Sequence, residues 1–199
     1  MHDGTGYKHP EFTNILTEID RALADYGRVI LAIDGDAAAG KTTLTGNLEQ
    51  IYGCSVVHLD HFFLPRHLRT ENRLDEPGGN IDYDRFTDEI IEPLLEMRDF
   101  SYRPFNCQTW DFGEEIPINL GKLTVLEGSY ALHPKFVHIY NLKFFLKIES
   151  NEQMRRIKIR NPDKIDLFQN VWIPLEKKYQ VAFEIDNPAN SIVYTYREE

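Results

Sequence analysis

Residues 28–43 read RVILAIDGDAAAGKTT, an apolar run followed by a loop that two glycines bound. The apolar residues 29–33 predict a short strand that is buried on both faces of a sheet. Gly35, four further residues, Gly40, Lys41 and Thr42 then complete the pattern G-x-x-x-x-G-K-[ST] between this strand and a predicted helix. In this context the pattern predicts a nucleotide-phosphate site in an α/β fold.

The spacing within the glycine loop has a chemical reason. Glycines allow backbone conformations that side chains would block, so that successive N–H groups can point at phosphate oxygens. The helix that begins near Lys41 adds the positive end of its dipole. Lys41 can then reach the β- and γ-phosphates, and the Thr42 hydroxyl can ligate Mg²⁺. The predicted cofactors are ATP or GTP with Mg²⁺, and the predicted cofactor-binding residues are Gly35, Asp36, Ala37, Ala38, Ala39, Gly40, Lys41, Thr42 and Thr43.

Composition restricts the classes of protein and partner. The 199 residues, 42% of them hydrophobic, predict one globular domain over residues 1–199. The net charge of −10 disfavours nucleic acid as a partner, so a bound polyphosphate requires local positive charge. No run is long and apolar enough to span a membrane, no signal-peptide pattern occurs, and two isolated cysteines fit a reducing compartment. We therefore expect a cytoplasmic protein with a small-molecule substrate and no membrane partner, and the oligomeric state, including a homo-oligomer, stays open.

Apolar spacing and turn residues predict the remaining elements, in which helices and strands alternate. Helices are predicted over 10–26 and 41–52, and Gly27 and Gly53 are predicted to end them. Further helices are predicted over 82–97, 153–160 and 163–184. The first of these is expected to bend or restart at Pro93, and the last to break near Pro174. Strands are predicted over 54–60, 123–128, 142–148 and 190–195. Residues 1–9 are predicted to be loose, residues 64–81 to form a long loop, and residues 99–118 to make an excursion of one or two strands.

Two of the predicted strands end in a carboxylate. Asp60 closes the strand over 54–60, and Glu127 lies near the end of the strand over 123–128. Groups just beyond the carboxyl ends of parallel strands line the ligand crevice of open α/β sheets. An apolar strand that delivers a carboxylate beside a phosphate loop predicts a Mg²⁺-associated role for Glu127. An isolated Asp60 would more often initiate a turn, but the pair Phe62-Phe63 that follows it favours a functional position.

Two further groups of residues have two explanations each. The basic cluster of the helix over 153–160 is either a solvated face or an arginine lid over about residues 153–165, and the acidic chain that must hold a triphosphate supports the lid. The aromatic residues of the excursion either pack in the core or stack on a planar base. The cluster comprises Arg155, Arg156, Lys158 and Arg160, and the aromatic set comprises Phe100, Tyr102, Phe105, Trp110 and Phe112.

Together these stretches resemble the uridine kinase-like branch of P-loop kinases, over nearly the whole chain after the first helix. The matching segments are IDGDAAAGKTT (33–43), HLDHFFLP (58–65), RLDEPGGNIDYDRF (73–86), TVLEGSYALHP (124–134), EQMRRIKIR (152–160) and FQNVWIPLEKKY (168–179). The resemblance implies a five-stranded parallel sheet flanked by helices, a helical lid and a nucleoside pocket.

The resemblance also implies roles for individual residues. The general base of the family aligns with Asp60, its Mg²⁺-associated carboxylate aligns with Glu127, and its lid arginines fall in the basic cluster. The implied catalytic residues are Lys41, Asp60, Arg155, Arg156 and Arg160. The implied substrate-binding residues are Asp60, Phe62, Asp82, Phe105, Trp110 and Glu127, and the implied metal ligands are Thr42, Asp60 and Glu127.

The sequence departs from the family at two places that bear on the substrate. Phe105 and Trp110 align where relatives carry a base-sensing tyrosine and histidine, and the lid around Asn161-Pro162 is short. The prediction is ATP-dependent transfer of the γ-phosphate to the 5′-hydroxyl of a nucleoside, with uridine or cytidine as the first acceptors. The alternatives are a kinase of another small alcohol, such as nicotinamide riboside or pantothenate, and a non-kinase P-loop NTPase or nucleotide-sensing module.

Overall fold

A computed structural model describes residues 12–196 of the chain, with Tyr196 described by its backbone alone. The strands are β1 (Val29–Gly35), β2 (Ser55–His58), β3 (Phe100–Tyr102), β4 (Phe105–Asn106), β5 (Asp111–Phe112), β6 (Ile116–Ile118), β7 (Leu123–Glu127), β8 (Leu142–Ile148) and β9 (Ile192–Tyr196). The α-helices are α1 (Phe12–Tyr26), α2 (Lys41–Tyr52), α3 (Glu71–Asp75), α4 (Tyr83–Phe86), α5 (Glu92–Leu95), α6 (Ser150–Arg160), α7 (Ile165–Leu167) and α8 (Ile173–Phe183). The segment predicted to be loose, residues 1–9, and the predicted helix start at residue 10 lie outside the described residues. No helix within residues 12–196 combines the length and the apolar character needed to cross a bilayer.

Five parallel strands form the central sheet in the order β2-β7-β1-β8-β9. β1 lies in the middle and pairs with β7 on one side and with β8 on the other. A central parallel strand is covered on both faces, which explains why its sequence is apolar almost without interruption. The prediction of an α/β fold with a five-stranded parallel sheet flanked by helices is therefore confirmed.

Successive residues of β1 enter two different hydrophobic clusters. Leu31 and Ile33 belong to the cluster that includes Ile15 and Leu44 of α1 and α2. Ala32 belongs to the larger cluster on the opposite face. The largest fully buried side chains of that second cluster are Phe62, Phe86, Phe136, Phe145 and Tyr179. The two clusters place one helical layer on each face of the sheet.

The second strand ends earlier than its sequence predicts. β2 stops at His58, and a 3₁₀ turn over Leu59–Phe62 follows it. The prediction that Asp60 closes the strand is wrong in this detail, since Asp60 lies on the turn just beyond it. The turn leaves Leu59 and Phe62 fully buried while the carboxylate of Asp60 is exposed.

The predicted bend or restart at Pro93 and the predicted break near Pro174 correspond to π-helical turns before α5 and α8, each of which has its proline in the first turn. A π-helical turn over Thr87–Ile91 joins α4 to α5, and another over Phe168–Trp172 joins α7 to α8. Glu92 and Ile173, which precede Pro93 and Pro174, each donate their amide to a carbonyl five residues back. A proline has no N–H and clashes with the preceding turn, and a widened turn accommodates it without a break.

Residues 64–118 hold more regular structure than was predicted. The expected loop over 64–81 contains a 3₁₀ turn, Arg66–Leu68, and the short helix α3. The expected excursion of one or two strands consists of four short strands in two antiparallel ladders, β3–β6 and β4–β5. Strands of two or three residues are too short to leave a reliable alternation in the sequence.

Candidate active site

The loop between β1 and α2 is held in shape by its backbone geometry. Gly35 has φ of 151°, and a Cβ atom there would lie 2.3 Å from the carbonyl oxygen of Leu146 on β8. Ala38 and Gly40 adopt positive φ values of 61° and 99°, which turn the chain sharply into α2. The first amides of α2 have no acceptor within the helix, so the loop and the helix end have a geometry that suits an anion.

Lys41 is anchored across the phosphate loop. Its Nζ donates hydrogen bonds to the carbonyl oxygens of Gly35 (2.8 Å) and Asp36 (3.1 Å). Its charge also reaches the surrounding acids, because it opposes the rise in the pKa of Glu176 that burial causes. Lys41 therefore supplies positive charge at the phosphate loop, where an acidic chain would need it to bind a polyphosphate.

Thr42, His58 and Glu127 meet beside the phosphate loop. His58 and Glu127 are partners across the β2–β7 pairing, and His58 Nδ1 lies 2.6 Å from Glu127 Oε1. The Thr42 hydroxyl donates to the same oxygen over 3.4 Å. The hydrogen bond to Glu127 raises the pKa of His58, and burial partly opposes this rise. His58, which the sequence analysis did not single out, thus helps to compensate the buried charge of Glu127.

The oxygens of Thr42 and Glu127 fit a magnesium ion that arrives with a nucleotide. Mg²⁺ keeps several waters and phosphate oxygens, so that one or two protein ligands suffice. Within residues 12–196, no group of three or more His, Cys, Asp or Glu side chains could hold a metal ion. The donor set therefore suits an ion shared with substrate phosphates rather than one held by the protein alone.

Asp60 lies at the same end of the sheet as Glu127. In the strand order, β7 with Glu127 lies between β2, which precedes Asp60, and β1, which precedes the phosphate loop. A Cβ atom at Gly128, the residue after β7, would lie 3.6 Å from Asp60 Oδ1. Protein atoms crowd the carboxyl in the cleft, and the resulting desolvation raises its pKa, while Lys41 lowers it and Glu127 raises it. The side chain nevertheless remains exposed to solvent, so a substrate can reach it.

Helix α6 carries the predicted lid arginines, and Glu152 organises two of them. Glu152 accepts hydrogen bonds from Arg155 Nε (2.6 Å) and Nη2 (2.8 Å) and from Arg156 Nε (2.6 Å). The carboxylate is largely buried, whereas Arg155 is half exposed. The bonds from Arg155 and Arg156 lower the pKa of Glu152 to about 2.

This ion-pair cluster predicts a pH-dependent loss of stability. A carboxyl whose pKa is lower in the folded state stabilises the fold above its unfolded pKa, and the contribution is lost as pH falls toward the folded pKa. Glu152→Gln should therefore lower the free energy of unfolding at pH 7 by about 1 kcal/mol, a value reduced for the solvent exposure of Arg155. The difference from wild type should shrink between pH about 4.5 and about 2 in urea unfolding. Glu18→Gln, at the exposed Glu18–Arg21 pair, is the control, and a pH-independent difference would contradict the assignment.

The same helix contacts the phosphate loop directly. Arg156 Nη1 donates to the carbonyl oxygen of Ala38 (3.2 Å), and Gln153 Nε2 donates to that of Ala37 (3.1 Å). Two of the loop carbonyls thus accept hydrogen bonds from α6. The arrangement ties the predicted lid to the loop that it would cover.

Arg160 at the end of α6 lies toward Asp60. Its Nε donates to Asn161 Oδ1 (3.1 Å), and its side chain is exposed. Crowding raises the pKa of Asp60, and the charge of Arg160 is among the effects that lower it. The structure therefore places Arg156 at the phosphate loop, Arg160 toward the carboxylate side, and Arg155 on Glu152.

Helix α8 supports the phosphate loop from below, which the sequence analysis did not predict. The buried carboxylate of Glu176 accepts hydrogen bonds from the Ala37 amide (3.0 Å) and from the Ser129 hydroxyl (2.8 Å). Asp36 Oδ1 accepts from Lys177 Nζ and from Gln180 Nε2, both at 3.0 Å. Glu176 therefore links the phosphate loop to the loop after β7.

A second buried carboxylate lies at the end of β1. Asp34 Oδ2 accepts hydrogen bonds from the Tyr179 hydroxyl (2.8 Å) and from the Leu132 amide (3.0 Å), and burial raises its pKa. In the predicted helix over 163–184, apolar residues at helical spacing predict a core face: Phe168, Val171, Trp172, Leu175, Tyr179 and Phe183. Tyr179 is buried as predicted, but Val171 is exposed, and the polar residues beside this face bond the phosphate loop. The helical spacing of the polar residues at 176, 177 and 180 is the pattern from which this polar face could have been predicted.

Two predicted substrate residues, Phe62 and Asp82, make contacts within the protein. Phe62 is fully buried and packs edge-on against Phe86, with ring centroids 5.0 Å apart. Asp82 Oδ1 accepts the Arg85 amide (3.2 Å) and so caps α4. Contacts of Phe62 and Asp82 with a substrate stay predictions.

The predicted base-stacking pair lies on the β4–β5 hairpin. Phe105 is buried, and its ring lies edge-on to Trp110 (6.2 Å between centroids) and to Phe112 (5.4 Å). Trp110 is partly exposed, and the guanidinium carbons of Arg66 and Arg69 lie 4.3 and 4.7 Å from its ring centre. The structure thus joins the long loop over 64–81 to the hairpin through arginine–tryptophan contacts.

The fold and the loop geometry place this chain among proteins with the P-loop kinase fold. No family model matches the chain. It is similar in structure to a possible uridine kinase from Bacillus stearothermophilus, with 17% identity, a TM-score of 0.67, and coverage of 92% of this chain and 97% of that one. It is also similar to YFH7 from Saccharomyces cerevisiae, a candidate P-loop-containing kinase with a circular permutation, with 12% identity, a TM-score of 0.64, and coverage of 94% and 99%. At these identities the likeness concerns the fold.

Proposed function

We propose that this chain is an ATP-dependent kinase that transfers the γ-phosphate of ATP to a hydroxyl group of a small molecule. The observation that carries the proposal is the convergence of Lys41, Asp60 and Glu127 at the carboxyl ends of three adjacent parallel strands. A non-kinase NTPase needs the phosphate loop and a metal-associated carboxylate, but it has no need of a second, solvent-accessible carboxylate at that edge. Asp60 is such a group.

In this proposal the phosphate loop and its cations hold the donor. The loop amides and Lys41 bind the phosphates, and Arg156 and Arg160 approach from α6 to neutralise charge on the transferring group. Thr42 and Glu127 would hold Mg²⁺, which when bound neutralises charge on the β- and γ-phosphates. Glu176 keeps Ala37 and the loop in position for this contact.

Asp60 acts on the acceptor. Its carboxylate accepts a hydrogen bond from the acceptor hydroxyl and takes the proton as the oxygen forms its bond to the γ-phosphorus. The bond from that phosphorus to the oxygen of ADP breaks in the same transfer, so that the products are ADP and a phosphate monoester. Closure of α6 over the loop excludes water and so suppresses hydrolysis of ATP.

The resemblance to uridine kinase-like proteins favours the 5′-hydroxyl of a nucleoside, with uridine or cytidine first. The likeness in fold to a possible uridine kinase supports the same class of acceptor. Nicotinamide riboside, pantothenate and other small alcohols are the alternatives. ADP release with and without a panel of such acceptors tests the proposal: acceptor-dependent release supports it, and equal release with and without every acceptor contradicts it.

The lid arginines should differ in their effects. Arg156→Ala and Arg160→Ala are each expected to lower kcat by about 10- to 100-fold, because these side chains face the loop and Asp60. Arg155→Ala should stay within about threefold of wild type, since Arg155 is half exposed and pairs with Glu152. Lys158→Ala, an exposed change on the same helix, is the control. If all three arginine variants keep the wild-type kcat and ATP KM, the cluster is only a solvated face.

A further inference from the structure

Arg66 and Arg69 place two positive charges on one tryptophan ring. Their guanidinium carbons lie 4.3 and 4.7 Å from the ring centre of Trp110, so both cations contact the same ring. Arg69 Nε also donates to the Leu64 carbonyl (2.7 Å), and its Nη2 lies 3.4 Å from Cys107 Sγ. These contacts fix the Arg69 side chain, with Nη2 directed toward the β4–β5 hairpin.

Neither guanidinium has a carboxylate to compensate it. Among the ion pairs of residues 12–196, Arg73 pairs with Glu76 and Arg85 pairs with Glu89, but no acidic group lies within 4.0 Å of Arg66 or Arg69. The chain carries ten more acidic than basic residues, so an anion that binds here requires local positive charge. A guanidinium group that makes no ion pair with a carboxylate can bind the oxygens of another anion.

The arginine pair lies on the acceptor side of the site. The β4–β5 hairpin packs against the turn Leu59–Phe62 that carries Asp60. Burial raises the pKa of the Cys107 thiol, the charge of Arg69 lowers it, and the charge of Asp60 raises it, so Cys107 lies within electrostatic reach of both. The donor-side cations Lys41 and Arg156 belong to the phosphate loop instead.

We propose that the acceptor alcohol carries an anionic group, a carboxylate or a phosphate ester, which Arg66 and Arg69 bind beside Trp110 while Asp60 takes the hydroxyl. The inference rests on the proposed phosphoryl transfer, and it replaces uridine or cytidine as the first acceptor by an alcohol that carries a negative charge. It favours acidic alcohols over neutral nucleosides, and it assigns Trp110 to the support of the arginines. A planar guanidinium presents paired donors that match the oxygens of a carboxylate or phosphate.

Matched pairs of acceptors test this inference and distinguish a carboxylate from a phosphate ester as the anionic group. Pantothenate and panthenol differ by a carboxylate, and ribose 5-phosphate and ribose differ by a phosphate ester. ADP release should give a higher kcat/KM for the anionic member of at least one pair than for its neutral partner or for uridine. The expected preference is about 10- to 100-fold, the factor that one or two charge-assisted hydrogen bonds provide.

Two double variants test whether the preference for an anionic acceptor depends on Arg66 and Arg69. Arg66→Gln/Arg69→Gln should reduce the preference to near one while leaving kcat/KM for the neutral members within about threefold. Arg21→Gln/Arg98→Gln, which removes two arginines paired with glutamates elsewhere, should keep the preference. The single variant Arg66→Gln changes an exposed side chain and serves if the double variant does not fold.

A binding measurement makes the test independent of turnover. The chain has two tryptophans, so Trp172→Phe leaves Trp110 as the only indole reporter. With Mg²⁺ and a non-hydrolysable ATP analogue filling the donor side, inorganic phosphate should change the Trp110 fluorescence saturably, and the arginine double variant should abolish the change.

The outcomes separate the two proposals. Acceptor-dependent ADP release without preference for an anionic member, or a preference that the arginine double variant keeps, overturns the inference and leaves the kinase proposal standing. No acceptor-dependent release, with a phosphate-dependent signal that the double variant loses, supports the anion site and counts against the kinase proposal. Absence of release and of signal overturns the inference.

Discussion

Lys41→Ala should fold normally and lose phosphoryl transfer by roughly 10²–10⁴-fold. The ammonium group of Lys41 bonds two loop carbonyls, and its charge opposes the burial-driven rise in the pKa of Asp34, Asp60 and Glu176. Its removal leaves these carboxyls without their nearest cation, in the place where a polyphosphate must bind. We therefore expect weaker ATP binding as well as slower transfer, measured by calorimetry and by ADP release.

Lys122→Ala is the matched control for Lys41→Ala. Lys122 is exposed and precedes Leu123, at the end of β7 that lies away from the phosphate loop. Circular dichroism should show the same helix and strand content for both variants and wild type. Turnover near the wild-type value in a folded Lys41→Ala protein would refute the assignment of the phosphate loop.

Asp60→Asn should separate nucleotide binding from transfer. An amide of the same shape can orient the acceptor hydroxyl but cannot take its proton, so transfer should fall by roughly 10²–10⁴-fold. MgATP affinity should stay within a few-fold of wild type, because Asp60 lies beyond the Thr42–Glu127 pair that contacts the loop. Calorimetry with MgATP and single-turnover transfer to the acceptor measure the two quantities.

The opposite result has a definite meaning. If ATP affinity collapses in Asp60→Asn while transfer at saturating ATP survives, Asp60 is mainly a metal-site residue. Asp82 would then be the first candidate for the base, although its Oδ1 caps α4 in this structure. Asp88→Asn, an exposed change on the π-helical turn, should leave both quantities unchanged.

The same assignment predicts the pH dependence of transfer. Crowding raises the pKa of Asp60 in the folded protein, with Lys41 opposing and Glu127 reinforcing the rise. A base is active when it is deprotonated, so the rate should fall as pH drops through a pKa above the ordinary range of aspartate. This acid limb should be absent from the residual transfer of Asp60→Asn.

Five cations lie near the groups that the proposal assigns to donor and acceptor. Lys41 and Arg156 bond the phosphate loop, Arg160 lies toward Asp60, and Arg66 and Arg69 stack on Trp110 of the β4–β5 hairpin. An acidic chain that binds a polyphosphate requires local positive charge, and the sequence predicts it in the loop and the lid. The contact of Arg66 and Arg69 with Trp110 is not predictable from the sequence, because these two arginines lie in a segment with no periodicity.

The phosphate loop and the strand before it are predictable from residues 28–43, because their pattern is local, whereas the five-stranded parallel sheet is implied by the resemblance to P-loop kinases. The apolar run and the glycine spacing occupy adjacent residues, and the structure has β1 at Val29–Gly35 and α2 at Lys41–Tyr52. The glycines at 27 and 53 also ended their helices as predicted, both with positive φ. Asp60 and Glu127 could be placed near each other because the carboxyl ends of parallel strands share one edge.

The support of the phosphate loop and the groups near the acceptor depend on contacts between residues far apart in the sequence. Glu176 bonds Ala37 across 139 residues, and Tyr179 bonds Asp34 across 145. Periodicity reports which face of an element is apolar, but a buried polar pair depends on how distant elements pack, and this leaves no local pattern. The same holds for Arg66 and Trp110, whose contact joins a loop to a hairpin. The charges and their spacing can be taken from the sequence, whereas the partner of each charged group depends on how distant elements pack.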